Sequence, residues 1–163
     1  MARKEDLPDL FALYAGARRF MQENGNPNQW GNKNPPESVL REDIRREQLY
    51  VLTEQEQIRG AFALILGEDP TYREISEGNW LSDAPYGTLH RVAGDGSGGI
   101  FAAAVEFALT KSCHLRVDTH ADNKTMQRAI LRAGFHRCGI IYIADGSPRI
   151  AYELTKEETA DIR

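Results

Sequence analysis

The chain lacks most features that mark secreted, membrane-spanning or nucleic-acid-binding proteins. Its 163 residues include only two cysteines, Cys113 and Cys138, which form neither a CxxC motif nor a disulfide-dense framework. No apolar run is long enough to cross a bilayer, and the N-terminal MARKEDLPDLF lacks the uninterrupted apolar core of a signal peptide. These absences favour a cytoplasmic location and no membrane partner.

An excess of positive charge is also missing. Lys and Arg number 20 against 24 Asp and Glu, which gives a net charge of −4 and no support for a nucleic-acid partner. With 41% hydrophobic and 27% charged residues, the composition is that of an ordinary globular protein. The length predicts a single domain over residues 1–163, large enough to bury a core.

The most informative stretch is 115–135, LRVDTHADNKTMQRAILRAGF. It begins with strand-like alternation, reaches a polar turn at Asp122-Asn123, and continues with the helical spacing of Met126, Ala129, Ile130 and Ala133. Gly134 then ends the helix and Phe135 begins another strand. This unit places a helix N-terminus at the end of a strand, where a polar or anionic ligand is favoured.

Periodicity predicts the remaining elements. Helices are predicted over 6–23, 37–48 and 100–111, and strands over 49–53, 58–66, 86–93, 135–143 and 149–154. Only residues 2–4 precede the first helix with strand potential, so a first strand is expected to be short or missing. Strand–helix crossovers imply parallel pairing and hairpins imply antiparallel pairing. The predicted fold class is therefore α/β (α+β), with a mixed sheet and helices on both faces.

Residues 94–99, GDGSGG, contain four glycines between a strand and a helix. Such a loop can turn backbone N–H groups toward a phosphate, backed by the helix dipole, although a simple tight turn explains it equally well. It is neither a Walker loop nor a GxGxxG dinucleotide fingerprint.

Together, these two strand–loop–helix units resemble the cofactor core of the GNAT superfamily of acyl-CoA-dependent N-acyltransferases. Asn123 is followed eleven residues later by Gly134-Phe135, as in that family. Leu89-His90-Arg91, Asp118-Thr119-His120 and the run from Cys138 to Tyr142 resemble bacterial members in particular. The resemblance implies a mostly antiparallel twisted sheet with one splayed parallel strand pair, flanked by about four helices. It also implies an N-acetyltransferase that uses acetyl-CoA as co-substrate and transfers the acetyl group directly to a primary amine.

The resemblance further implies which residues bind the cofactor. A bulge before the glycine loop would open a V between two strands for the pantetheine arm, and the loop would hold the pyrophosphate. The implied cofactor-binding residues are Arg91, Val92, Ala93, Gly94, Gly96, Ser97, Gly98, Gly99, Ile100 and Asn123. Two positions depart from the family: Ser97 replaces a glycine, and Ile130 stands where many members carry a tyrosine that protonates the leaving thiolate.

Catalytic candidates follow from ordinary acid–base chemistry. His90 and His120 are candidates for the general base because imidazole titrates near neutral pH, with a hydrogen-bonded core histidine as the alternative for each. Tyr142, or Tyr152, could replace the missing acid. Trp30, Tyr72 and Trp80 could wall the acceptor pocket, and ordinary packing is the alternative.

Two other functions are compatible with the sequence. An acyl-CoA-binding sensor with little catalysis would explain Ile130 and the altered loop. A metal-dependent hydrolase could use Asp118, His120 and Asp122, but Asp122 already has a capping role, and no metal is expected. The expected partners are a small-molecule or peptide amine acceptor and, optionally, a second copy of the chain in a homodimer.

Overall fold

The computed structural model describes residues 1–156, which form four α-helices and six strands. The helices are α1 (Leu7–Glu23), α2 (Glu37–Arg45), α3 (Ile100–Ala108) and α4 (Lys124–Arg132). The strands are β1 (Leu49–Glu54), β2 (Gln57–Leu66), β3 (Gly87–Gly94), β4 (His114–Thr119), β5 (His136–Tyr142) and β6 (Pro148–Thr155). Residues 1–3 form no strand, and Ala2 N–H donates to Leu49 O at 2.8 Å.

Two helices end earlier than their sequence patterns predict. Helix α2 ends at Arg45 because Glu47 adopts a left-handed conformation, with φ of 57°. Helix α3 ends at Ala108, where the chain tightens into turns that join Thr110 N–H to Phe107 O and Lys111 N–H to Ala108 O. Neither change moves a residue of the glycine loop.

The six strands form one mixed sheet in the order β1-β2-β3-β4-β6-β5. Only β3 and β4 are parallel, and all other neighbours are antiparallel. This confirms the predicted fold class. Strand β6 lies between β4 and β5, so the last hairpin folds back with its second strand toward the centre of the sheet.

Helices cover both faces of the sheet because each strand alternates its side chains between two apolar layers. On one face, α1 and α2 pack Leu10 and Leu40 against Ala61 and Ala63 of β2. On the other face, α3 and α4 cover Phe62, Leu64, Leu89, Leu115, Val117, Ile150, Tyr152 and Leu154. The first of these faces also carries an aromatic cluster formed by Tyr72, Tyr86 and Trp80. No helix within residues 1–156 combines the length and apolar character needed to span a bilayer.

Candidate functional site

The parallel strands β3 and β4 separate soon after they meet. Only two residue pairs join them, Gly87 with Leu115 and Thr88 with Arg116. Beyond this point β3 stays with β2 but changes register, and Arg91 takes a left-handed φ of 52°. The bulge expected from the family resemblance is therefore present, and it opens a V between β3 and β4.

Side chains from α1 and α2 hold this bulge in place. Arg91 donates from Nε and Nη2 to the two carboxylate oxygens of Asp43, at 2.7 and 2.9 Å. Tyr14 OH donates to the carbonyl of Arg91 at 2.6 Å. A non-glycine residue with positive φ costs free energy and persists only where its surroundings compensate. Asp43 and Tyr14 provide that compensation, on the backbone as well as the side chain.

The glycine loop lies at the open end of the V, directly before α3. Gly96, Gly98 and Gly99 all have positive φ, and Gly99 forms the N-cap of α3 with φ of 76°. Ile100 seats the helix start against the sheet, since a Cβ at Gly60 or Gly94 would lie 2.6 or 2.9 Å from its side chain. Helix α3 therefore starts close to the sheet, with the loop alongside it.

Several backbone donors of this loop are available to a ligand. Within residues 1–156, the N–H groups of Gly98, Gly99 and Ile100 have no hydrogen-bond acceptor. Asp95 stabilises the loop instead: it accepts from Ser97 N–H at 2.9 Å and pairs with Arg59. Hydrogen bonds from the side chain and backbone of Ser97, followed by the interaction with Arg59, lower the pKa of Asp95 to about 2. Free amides at a helix N-terminus form an anion-binding site.

A groove of about 980 Å³ runs from this loop between α1 and α4. Eight of the ten predicted cofactor residues line it, namely Val92, Ala93, Gly94, Gly96, Gly98, Gly99, Ile100 and Asn123. The rest of the lining is mainly apolar and comes from α1, α3 and α4. Of the other two predicted residues, Arg91 lines a second cavity, and Ser97 lines neither.

The second cavity has a volume of about 460 Å³ and reaches the face that α1 and α2 cover. Its polar lining includes Asp69, His90, Asp118, Arg149 and Gln29. Four residues line both spaces, and they mark where the two meet: Met21, Val92, Asn123 and Met126. The splay between β3 and β4 thus joins a long groove on one side to a small polar cavity on the other.

Asn123 stands at the junction and caps α4. Its side-chain oxygen accepts from Met126 N–H at 3.1 Å, as the sequence predicts for an N-cap. Its amide nitrogen donates to Gln29 Oε1 at 2.9 Å, so the polar loop before α2 reaches the capping residue. The Asn123 amide has two N–H donors, and only one of them is used by Gln29 within residues 1–156.

His90 and Asp69 form a dyad in the second cavity. His90 Nε2 lies 2.9 Å from Asp69 Oδ2, and Asp69 Oδ1 accepts from the N–H and hydroxyl of Thr71. Burial raises the pKa of Asp69, but the hydrogen bonds from His90 and Thr71 outweigh burial and lower it to about 2. An ionised carboxylate only accepts hydrogen bonds, so Nε2 of His90 is the donor, and in the neutral imidazole Nδ1 is the nitrogen with the lone pair.

The other catalytic candidates lie outside both cavities. His120 sits in the turn after β4, where its Nδ1 accepts from Asp122 N–H at 3.0 Å. Burial lowers the pKa of His120, and the nearby Arg149 guanidinium adds to the effect. Tyr142 is exposed at the end of the edge strand β5. Tyr152 is buried in the core under α3 and α4, and Ile130 is fully buried there as well.

The three aromatic residues predicted for the acceptor pocket occupy different positions. Trp30 lines the second cavity and packs its ring against Tyr14. Tyr72 is fully buried behind the cavity, where its hydroxyl donates to Asp118 Oδ2 at 2.6 Å. Trp80 donates a hydrogen bond to the carbonyl of Tyr72 and stacks on Arg116, so it packs against neighbouring side chains and does not line the cavity.

Sequence reasoning missed Asp69, Asp43 and Arg149 as site residues. Asp69 gave a weak signal, since Asp-Pro-Thr is a typical start of a short helical turn, which residues 70–72 form. Arg149 gave another, because it is the one basic residue in the apolar alternation of the final strand. Asp43 gave none. Within residues 1–156, no cluster of three or more His, Cys, Asp or Glu residues could hold a metal ion.

No protein-family model and no curated protein matches the chain. Solved structures do match over nearly its whole length. A GNAT-family acetyltransferase from Streptococcus agalactiae is 29% identical, with a TM-score of 0.86 over 97% of this chain and 94% of that one. A GNAT-family acetyltransferase from Listeria monocytogenes is 19% identical, with a TM-score of 0.67 over 93% and 90% of the two chains. A ribosomal-protein-alanine N-acetyltransferase from Brucella melitensis is 18% identical, with a TM-score of 0.60 over 95% and 97%. These similarities confirm the GNAT resemblance and fold, and they support acyl transfer as the general chemistry.

Proposed function

Because the chain shares the fold of GNAT acetyltransferases, we propose that it is an acetyl-CoA-dependent N-acetyltransferase that transfers an acetyl group directly to a primary amine. One observation carries the proposal: the long groove and the small polar cavity meet at the splay between β3 and β4, next to Val92 and Asn123. Two substrates, one in the groove and one in the cavity, would meet there.

The groove suits a long ligand with an anionic end, as acetyl-CoA is. The free N–H groups at Gly98, Gly99 and Ile100 favour a pyrophosphate, and the start of α3 adds its dipole. The mainly apolar walls suit the pantetheine arm, whose amides can pair with the β3 edge that β4 has left. Bound there, acetyl-CoA would supply an acetyl group activated as a thioester.

His90 is the general base of this proposal, and Asp69 is its positioning residue. The Asp69 carboxylate fixes the imidazole through Nε2, which leaves Nδ1 to accept a proton from the amine. As the amine nitrogen bonds to the acetyl carbon, the carbon–sulfur bond breaks and sulfur leaves with the electron pair. The amine proton passes to Nδ1 and then to solvent, and the thiolate takes a proton from solvent. Much of the rate would come from orienting the two substrates.

The sensor alternative is favoured by one observation, the complete burial of Ile130. Isoleucine at that position has no proton to donate to the leaving thiolate. The sensor would bind acetyl-CoA and release no thiol with any amine.

We also propose a cytoplasmic location, since Cys113 and Cys138 are both free thiols.

Two measurements on the purified protein test the proposal. Calorimetric titration of acetyl-CoA should show saturable binding, and free thiol should appear only when a panel of primary amines is added. His90→Gln should lower thiol release by roughly 100-fold and leave acetyl-CoA affinity unchanged. Binding without release would favour the sensor. No binding at millimolar acetyl-CoA would overturn both functions.

A further inference from the structure

Within the described residues 1–156, Arg149 is a buried cation with no carboxylate in contact. The residue is 5% exposed, yet it lines the polar cavity. Its guanidinium donates only to neutral oxygens: Ser147 Oγ at 3.1 Å, Pro148 O at 2.9 Å and Gln29 O at 3.3 Å. Within residues 1–156, no carboxylate oxygen lies within 4.0 Å of it. A guanidinium has five N–H donors, so these three contacts leave donors unused.

The second arginine of the cavity provides an internal comparison. Arg91 is bound through two nitrogens by Asp43, so its charge is compensated inside the protein. Arg149 has no such partner among the residues that the structure describes. Burial lowers its pKa, while the more distant carboxylates of Asp118 and Asp145 act in the opposite direction. An arginine so placed favours a ligand oxyanion, which its planar fork can bind through two hydrogen bonds.

The negative charges of the cavity come from Asp118 on β4 and from Asp69 in the connection before β3. Asp118 on β4 pairs with Ala151 on β6, so Asp118 and Arg149 are diagonal neighbours on one face of the sheet. Tyr72 OH occupies Asp118 Oδ2. Asp69 lies beside His90, on the side of β3. The cavity therefore presents Asp69 and His90 on the side of β3 and the Arg149 guanidinium on β6, with Asp118 of β4 between them.

We propose that the acceptor is a small amino-acid-like molecule: its amine faces His90 and its oxyanion, a carboxylate or a phosphonate, binds Arg149. This inference rests on the proposed function and names its substrate class. A volume of about 460 Å³ is at the small end of ligand cavities, which suits one such molecule.

The decisive experiment compares matched acceptors on the wild-type protein. The panel contains L-amino acids, the corresponding amino-acid amides, and aminoalkyl phosphonates, with thiol release as the readout. We expect kcat/KM to favour the acids over their amides by roughly 10- to 100-fold, because a charge-assisted contact is lost in the amide. A phosphonate preference over the carboxylate would assign the oxyanion to that class.

Variants locate the preference at Arg149. Arg149→Gln should raise KM for the acid and leave KM for the amide unchanged, so the ratio falls toward one. Arg149→Lys should keep part of the preference for acids over amides. Arg137→Gln, at an exposed position of β5, is the matched control and should keep the full preference for acids over amides. Calorimetry of acid and amide without acetyl-CoA should show the same order of affinities, independently of turnover.

The outcomes separate this inference from the function beneath it. Equal kcat/KM for acids and amides, with clear transfer to both, would overturn the inference and leave the N-acetyltransferase intact. A preference that survives in Arg149→Gln would overturn it as well. Thiol release with no amine at all would overturn the function and the inference together. If Arg149→Gln does not fold, the wild-type ratio and Arg149→Lys still decide.

Discussion

Replacement of Ala102 by Glu should stabilise the fold relative to Ala102→Gln and weaken acetyl-CoA binding at once. Ala102 is exposed at the third position of α3 and lines the groove beside the glycine loop. A carboxylate in the first turn of a helix interacts favourably with the helix dipole by about 0.3–1 kcal/mol. For a domain of this size, that gain corresponds to a rise in Tm of about 1–4 °C.

The same carboxylate would face the proposed pyrophosphate. Two like charges about 6 Å apart repel by about 0.7–2.8 kcal/mol as the effective dielectric constant falls from 80 to 20. The dissociation constant for acetyl-CoA should therefore rise by about 3- to 100-fold. Ala102 is a better probe than Gly99, because Gly99 has φ of 76° and any side chain there would strain the backbone.

The assay is calorimetric titration of acetyl-CoA, with thermal unfolding of the same samples. Ala102→Gln is the matched control, since it adds a side chain of the same size without charge. The affinity gap between the Glu and Gln variants should narrow at high salt, because exposed charges are screened. Equal affinities of the two variants at low salt would refute the anion site at this loop. A lower Tm for Glu than for Gln would refute the dipole argument.

Three further predictions follow from other contacts. Asp69→Asn should cost about 2 kcal/mol at pH 7, because the pKa of Asp69 is lowered from 3.8 to about 2. A carboxyl group whose pKa is lowered by folding stabilises the fold at pH values above its pKa in the unfolded chain, and this stabilisation is lost as the pH falls toward 2. Urea unfolding at pH 3 should therefore show a smaller difference in stability between wild type and variant. Asp43→Asn should cost about 2–3 kcal/mol in urea unfolding and weaken acetyl-CoA binding, since Arg91 loses its carboxylate partner; unchanged stability would contradict the ion pair. Burial raises the pKa of Cys138 to about 11, so roughly one molecule in a thousand carries its thiolate at pH 8. Iodoacetamide should therefore label Cys113 before Cys138 in the native protein, as read by mass spectrometry, and the reverse order would contradict this.

Much of the fold was predictable because its signals are local. The spacing of Met126, Ala129 and Ile130 defines α4, and the capping bond from Asn123 spans only three residues. The glycine loop likewise predicted the start of α3. Such features depend on neighbours within one or two turns, and side-chain type and period report on them directly.

The polar cavity was harder to predict because distant segments build it. Arg91 and Asp43 are 48 residues apart, and Tyr14 reaches Arg91 across 77 residues. The place of Arg149 depends on β6 pairing with β4, and the hairpin pattern did not say which strand of the hairpin would do so. His90 and Asp69 lie only 21 residues apart, but an irregular connection separates them. The hydrophobic pattern of a strand predicts which face of the sheet a residue occupies. It does not predict which distant residue contacts it there.

The backbone conformation of Arg91 connects the two halves of the site. The groove and the cavity share Val92 and Asn123 beside the gap between β3 and β4, so a continuous β3–β4 ladder would keep them apart. The β3–β4 ladder stops after Thr88, and Arg91 lies in the part of β3 that has left β4. Asp43 and Tyr14 supply the interactions that hold its left-handed backbone in place. Residues from α1 and α2, far from the glycine loop, therefore decide whether the groove and the cavity meet. Loosening this clamp should lower acetyl-CoA affinity and transfer together, whereas the loss of His90 should affect transfer alone.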